Sequence, residues 1–288
     1  MSKKIFINPA PSTNKPSIGS FINQVFIIAY KENTDLLEKT LRDQGFQCEI
    51  LRQPPLNETN KNYSPSYLCL LNHKGAWQRI ININKPCLII EADFVPVINM
   101  DQLPLAFPQN EEKLGINWLY TCAPQVYSVS SDMYAQGFST SMVAYIISPQ
   151  SAKYLIDLAE EIKEKYGEEN YSSWDGEVDS YLRNRGLKNY IPFRCYGEHG
   201  GKPNLEHKKN GLSLKHRADI LYSKLAFMPD YASNAKYPFL TLVQERFYGR
   251  IKGIGRFLFG KFIRLPVLKK SSVPWRILWF CVSKYVLF

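Results

Sequence analysis

Two short apolar runs joined by one helical segment constrain this chain most. Val25-Phe-Ile-Ile-Ala-Tyr30 is rich in β-formers and bounded by polar residues, so it reads as a buried strand. Asn33 or Thr34 can cap a helix on which Leu36, Leu37, Thr40 and Leu41 share a face, and Gly45 is its stop. Residues 47–51 form a second strand-like run. Strand, helix and strand in so short a stretch match a right-handed crossover between parallel strands.

The alternation continues. Residues 54–65 are polar and turn-rich, hence a loop. A helix follows over about 66–81, with Leu70, His73, Trp77 and Ile80 along one side. Pro86 ends that connection, and Cys87-Leu-Ile-Ile90 is another buried strand. A third unit has strands at 116–120 and 143–147, then a helix capped by Ser148, opened by Pro149 and stopped by Gly167. The expectation is an α/β fold with an open, mostly parallel sheet flanked by helices. Beyond Tyr190 the alternation fades, and residues 197–204 read as a loop.

With 288 residues, 45% of them hydrophobic, the chain can bury a sizeable core, which excludes collagen-like, low-complexity and disordered classes. Its cysteines (Cys48, Cys69, Cys87, Cys122, Cys195, Cys281) form no Cys-x-x-Cys pair and mostly lie among apolar residues. That pattern predicts buried thiols of a reduced cytosolic protein, without a disulfide framework or zinc knuckle. Lys3 and Lys4 are followed by Pro, Ser and Asn and not by an apolar run, so no signal peptide is visible. No stretch reaches the roughly 18 apolar residues of a spanning helix. The predicted location is cytoplasmic.

Charge divides the chain. Residues 240–288 hold ten Lys or Arg and one acid, Glu245, and so carry nine of the ten net positive charges. The expected organisation is a globular domain at 1–239 and a basic, aromatic-rich, amphipathic tail at 240–288. On a helical wheel from Ile251, the residues Ile254, Phe257, Leu258, Phe262 and Leu265 share one arc, while Lys252, Arg256 and Arg264 fall outside it and Lys261 sits at its edge. Cations beside Trp and Phe, without a spanning stretch, predict an anionic membrane surface as partner, with the protein peripheral on the inner face. Docking on the body is the second reading. Nucleic acid ranks last and is not expected, because the tail has many large aliphatics and no RNA-binding signature.

The most informative chemistry is Glu91-Ala92-Asp93. In open α/β sheets ligands bind beyond the carboxyl ends of strands, and carboxylates at i and i+2 of a strand end share a side. Such a pair can hold a hard divalent cation and through it a diphosphate; a solvated strand end is the plain alternative. The Gly-flanked segment Glu198-His199-Gly-Gly-Lys202 can approach a phosphate closely, with Lys202 meeting its charge. One of His199, His207 and His216 can complete a metal sphere, His199 being the candidate ligand. His73, one helical turn before Trp77, reads either as a satisfied core histidine or as a donor-site residue.

Four pieces in order carry a family resemblance. Pro65-Ser-Tyr-Leu-Cys-Leu-Leu-Asn-His73-Lys-Gly-Ala-Trp77, then Cys87-Leu-Ile-Ile-Glu-Ala-Asp-Phe94, resembles the core of glycosyltransferase family 25, the sugar transferases of lipopolysaccharide synthesis and their collagen-modifying relatives. Gly137 with residues 143–155, and then Val178-Asp179, continue it, so it spans roughly residues 25–182. Asn72 and Ala92 depart from the family's Ser and middle Asp. The resemblance implies a GT-A fold, a nucleotide-diphosphate sugar donor and a bridging Mn²⁺ or Mg²⁺. It makes Asp93 the main metal ligand, with Glu91 supporting it or the donor sugar. Inverting hexosyl transfer also needs a general base. Trp174-Asp-Gly-Glu-Val-Asp179 offers three carboxylates beside a ring suited to a sugar face, with Asp179 the first choice and Glu177 the second. The implied acceptor is a glycan or glycolipid of the cell envelope, as in lipopolysaccharide. The alternative is a non-catalytic module of the same shape, with Ala92 as the mark of lost activity.

Overall fold

The computed structural model describes residues 15–55, 57–58, 60–201, 209–211 and 215–285. A one-turn helix, α1 (Ile18–Phe21), capped by the Ser17 hydroxyl, leads into strand β1 (Gln24–Ala29). Helix α2 (Asp35–Asp43) then crosses to β2 (Gln47–Arg52), which pairs with β1 in parallel from Gln24↔Gln47 to Ala29↔Arg52. Gly45, at φ +87°, makes the turn that ends this helix. Of the face read from the sequence, Leu37 and Leu41 are buried, while Leu36 is exposed.

The second crossover goes to the other side of β1. Helix α3 (Pro65–Ile83) is N-capped by Ser64, whose oxygen accepts from the Tyr67 N–H, and it stops at Asn84 in the left-handed region. The chain returns as β3 (Cys87–Glu91), parallel to β1 with Val25↔Leu88. The two helices therefore cover opposite faces. Leu37 and Leu41 of α2 pack with Val25 and Ile27, whereas Leu70, Trp77 and Ile80 of α3 pack with Phe26, Ile28 and Ile89. Where the winding reverses, between β1 and β3, a crevice opens at the carboxyl ends of the strands.

The rest of the sheet uses β5 (Leu114–Trp118), β6 (Gln125–Val129), β7 (Ala135–Phe138), β8 (Ala144–Ile147) and β9 (Lys188–Ile191), in the order β2-β1-β3-β8-β5-β9-β7-β6. Following the pairings across the sheet, six strands run one way and β7 and β8 run against them. The third unit thus differs from the expected crossover. No helix separates β5 from β8, only the β6–β7 hairpin, and without a crossover β8 enters antiparallel between β3 and β5. Helix α4 (Pro149–Tyr166), capped by Ser148 and ended at Gly167, follows as the sequence reads, and α5 (Val178–Asn184) packs against it.

Outside this sheet, β4 (Phe94–Pro96) pairs antiparallel with β10 (Gly197–His199) in a two-stranded ribbon at the sheet's carboxyl edge. A one-turn helix α6 (Asp230–Ser233) precedes the basic segment, which forms α7 (Pro238–Leu258), α8 (Leu265–Lys270) and α9 (Pro274–Tyr285).

The composition change at residue 240 is not a break in packing. Phe262, Ile277, Phe280, Cys281 and Tyr285 belong to the same apolar cluster as Trp77 and Trp118. Gly249 and Gly253 of α7 let the helix backbone approach Ala218 and Asp219, where a Cβ would come within 2.6 Å and 2.7 Å of body atoms. Lys284 is fully buried, donating to the Phe193 carbonyl at 3.0 Å beside Asp219, which also accepts from the Tyr285 hydroxyl at 2.7 Å. The wheel drawn from Ile251 fails past residue 258. The helix ends there, Gly260 at φ +65° turns the chain, and Phe262 drops into the core. All six cysteines are free thiols, and no helix among the described residues is long and apolar enough to cross a membrane.

Candidate active site

Ile28, Ala29 and Tyr30 at the end of β1, Gln53 after β2, and Glu91, Ala92 and Asp93 at the end of β3 line a cleft of about 390 Å³, closed on its other side by Cys69 and Asn72 of α3. The size lies in the range of small-molecule sites. Its position is the reversal point of the winding, so the fold delivers the acidic pair to the place where open α/β sheets take their ligands.

The ribbon supplies the third member. Pairing His199 with Phe94, and the Gly200 N–H donating to the Asp93 carbonyl at 2.7 Å, bring His199 Nε2 to 3.1 Å from Asp93 Oδ2. Ligand atoms of Glu91, Asp93 and His199 all lie within 4.8 Å of one another. Burial alone would raise the Asp93 carboxyl, but the charge and hydrogen bond of His199 hold it below the usual carboxylate range. Burial likewise opposes the His199 imidazolium, and Asp93 overcomes it and raises its pKa.

Two observations bear on whether a divalent cation fits. Asp93 Oδ1 is buried and accepts no hydrogen bond among the described residues, which is costly for a carboxylate oxygen. Gly201 leaves room beside the other oxygen and His199, since a Cβ there would lie 2.3 Å from Asp93 Oδ2 and 3.0 Å from His199 Cε1. Two carboxylates and one imidazole suit Mn²⁺; the imidazole makes the set less suited to Mg²⁺, which prefers oxygen. Ala92 also packs against the apolar cluster on the α2 side, so the outer pair Glu91 and Asp93 bears the charge.

His73 does not reach the cleft. Its side chain is fully buried, which corrects its assignment as a donor-binding residue. Trp77 Nε1 donates to the Tyr145 hydroxyl at 3.0 Å, leaving that hydroxyl to donate to His73 Nδ1 at 2.7 Å. His73 then carries its proton on Nε2, 3.3 Å from Glu91 Oε1, and holds Glu91 from behind. Cys69, His73 and Glu91 also form a compact group, but burial first, and then Glu91, push the Cys69 thiol well up.

The acidic hexapeptide is rearranged relative to expectation. Asp179 is buried, and both of its oxygens are occupied. Oδ1 accepts from Asn189 Nδ2 at 2.8 Å, and Oδ2 accepts from the Tyr127 hydroxyl at 3.1 Å and Arg183 Nη2 at 2.9 Å. A carboxylate committed in this way ties α5 to β9. Glu177 Oε1 is taken by Lys165 and Tyr166 at the surface. Trp174 is buried, donates to the Ser66 carbonyl and packs edge-on against His73, so it offers no face to a sugar. The carboxylate of this stretch that feels Glu91 is Asp175. Burial and then Glu91 raise it to about 7, against hydrogen bonds from the backbone at Gly176 that lower it.

Lys202 and His207 lie outside the described residues. His216 Nδ1 is 3.2 Å from Cys122 Sγ, and its ring stands edge-on to His199. Glu198, next to His199, is buried; it is gripped by Arg246 of α7 and accepts from the Ala218 N–H. Neither Asp175 nor this Arg246–Glu198 support follows from spacing, because each depends on segments far apart in sequence.

No protein-family model and no curated protein sequence matches this chain. Among solved structures, the crystal structure of a glycosyltransferase involved in the glycosylation of the major capsid of PBCV-1 is similar at 8% identity and a TM-score of 0.39, over 58% of this chain and 80% of that one. A likeness of that degree carries no argument about fold or chemistry.

Proposed function

We propose that the chain is an inverting glycosyltransferase that moves a hexosyl group from a nucleotide-diphosphate donor to a hydroxyl of a cell-envelope glycan or glycolipid. The reading rests on one juxtaposition: Glu91, Asp93 and His199 converge at the reversal-point cleft, with a buried Asp93 oxygen that has no partner among the described residues. Glu91, Asp93 and His199 would hold a divalent cation, Mn²⁺ by preference. When bound, such an ion neutralises the diphosphate and makes it a better leaving group.

The remaining work belongs to the chain's own groups. The cleft beside Tyr30 and Asn72 receives the nucleotide end of the donor, and His73 keeps the Glu91 carboxylate in register. Asp175, poised near neutrality, takes the proton of the acceptor hydroxyl. The acceptor oxygen bonds to the anomeric carbon as the bond from that carbon to the diphosphate oxygen breaks, and the nucleoside diphosphate leaves.

A thermal-shift screen of nucleotide-diphosphate sugars with and without Mn²⁺ tests the reading. A ligand bound only by the folded state adds about 2.7 kcal/mol at a hundredfold excess over its dissociation constant. The expected result is a cation-dependent shift with one sugar nucleotide. Shifts with none of them would overturn the reading and favour a module that binds without transferring.

A further inference from the structure

Helix α7 has two working faces. Gly249 and Gly253 press its inner face against Ala218 and Asp219. Its outer face carries Leu240, Val243, Phe247, Ile251 and Leu258, spaced so that they fall on one arc opposite those glycines, and each is between 46% and 72% exposed. Phe259, Leu265 and Trp275 of the same segment are exposed as well. A soluble surface rarely leaves so many large apolar groups in one segment without using them.

The charge of the segment that continues from this row indicates what covers it. Lys261, Arg264, Lys269 and Lys270 are exposed, while Glu245, the segment's one acid, turns inward to Lys215 and Arg217. A second copy would set one cationic surface against another. Nucleic acid would meet the cations but gain little from an aliphatic row, since single strands bind by stacking on aromatic rings. An anionic bilayer accepts both features, the row among its acyl chains and the cations at its headgroups. We propose that α7 lies along the interface of an anionic membrane, with Leu240, Val243, Phe247, Ile251 and Leu258 inserted.

The docked helix also bears on the site. Arg246 on the inner side of α7 grips Glu198, the neighbour of His199. The lipid-facing row therefore lies across one helix, about 10–12 Å wide, from Glu198, the chain neighbour of His199. A lipid-linked acceptor would be presented within reach of the cluster. That last step rests on the transferase reading; the membrane contact does not.

Deleting the segment is no test, because Phe262, Phe280 and Tyr285 are core residues. The full chain is instead co-sedimented with vesicles of phosphatidylcholine, with and without phosphatidylglycerol. The wild type should bind the anionic vesicles and release them as salt rises. Phe247→Ser with Ile251→Ser should weaken that binding about a hundredfold at an unchanged thermal midpoint, since each side chain accounts for on the order of tenfold. Lys269→Glu with Lys270→Glu leaves the apolar row intact and should abolish the preference for anionic vesicles. Equal binding to neutral vesicles, or wild-type binding by the Ser variant, would overturn the proposal. So would a lipid-free wild-type dimer that the Ser variant dissolves in sedimentation velocity. Donor binding is read separately by thermal shift, so the transferase reading and the membrane contact fail independently.

Discussion

Asp93 and Asp179 are both aspartates with a buried carboxylate oxygen, and they are used in opposite ways. Asp179 gives both oxygens to Tyr127, Arg183 and Asn189 and behaves as a structural tie between a helix and a strand. Asp93 has one oxygen against His199, where Gly201 leaves room, and one with no partner among the described residues. Full satisfaction stabilises a fold, whereas an unsatisfied buried oxygen is a cost that a ligand can relieve. Asp175 stands between them, half-buried and near neutrality, with Glu91 as its charged neighbour.

The largest effect should come from Asp175→Asn, which is expected to lower kcat by about 10²–10⁴-fold with donor binding intact. Wild-type kcat should rise with pH through about 7, as the base loses its proton. Stability should move the other way. The folded state holds this proton to about pH 7 and the unfolded chain only to the ordinary aspartate range near 4, so the wild type loses stability between those values relative to Asp175→Asn. Thermal midpoints across that window check this, and parallel curves for the two proteins would refute it.

Asp93→Asn should cut kcat by about 10²–10³-fold and remove the Mn²⁺-dependent donor shift, while costing no more than about 1 kcal/mol of stability. Asp179→Ala should do the reverse. Leaving Asn189 and Tyr127 without their acceptor should cost about 3 kcal/mol in urea denaturation, with the cation-dependent shift retained by the folded protein. If the two variants behaved alike, the contrast between a tie and a ligand would be wrong. Gly201→Ala should have the smallest effect, roughly a tenfold loss of Mn²⁺ affinity as the new methyl displaces Asp93 Oδ2.

Local pattern sufficed for the first half of the fold. The strands around Val25 and Cys87, the cap Ser148, and the stops Gly45 and Gly167 are features of neighbouring residues, and the structure has them where the sequence places them. The antiparallel entry of β8 was not legible, because direction depends on whether the intervening chain crosses the sheet, and the β6–β7 hairpin is short and only partly apolar. The segment 240–288 illustrates the same limit. Its composition marks it as cationic and amphipathic, but that one face docks on the body depends on Asp219 and Ala218 meeting Gly253 and Gly249. At the site, Glu91 and Asp93 could be named from a strand-end pair, and His199 joins them through the ribbon with β4. Naming Asp179 rests on the family resemblance, and the packing around Asn189 and Tyr127 distinguishes its surroundings from those of Asp175, whose charge Glu91 opposes.

The central claim is that Glu91, Asp93 and His199 bind a divalent cation. Titrating the full chain with Mn²⁺ alone, and following the electron paramagnetic resonance of the free ion, tests it most directly. One bound Mn²⁺ per chain in the wild type, retained in Asp179→Asn and lost in Asp93→Asn, is the predicted result. A wild-type chain that leaves the free-ion signal unchanged, or an Asp93→Asn variant that binds as the wild type does, would contradict it.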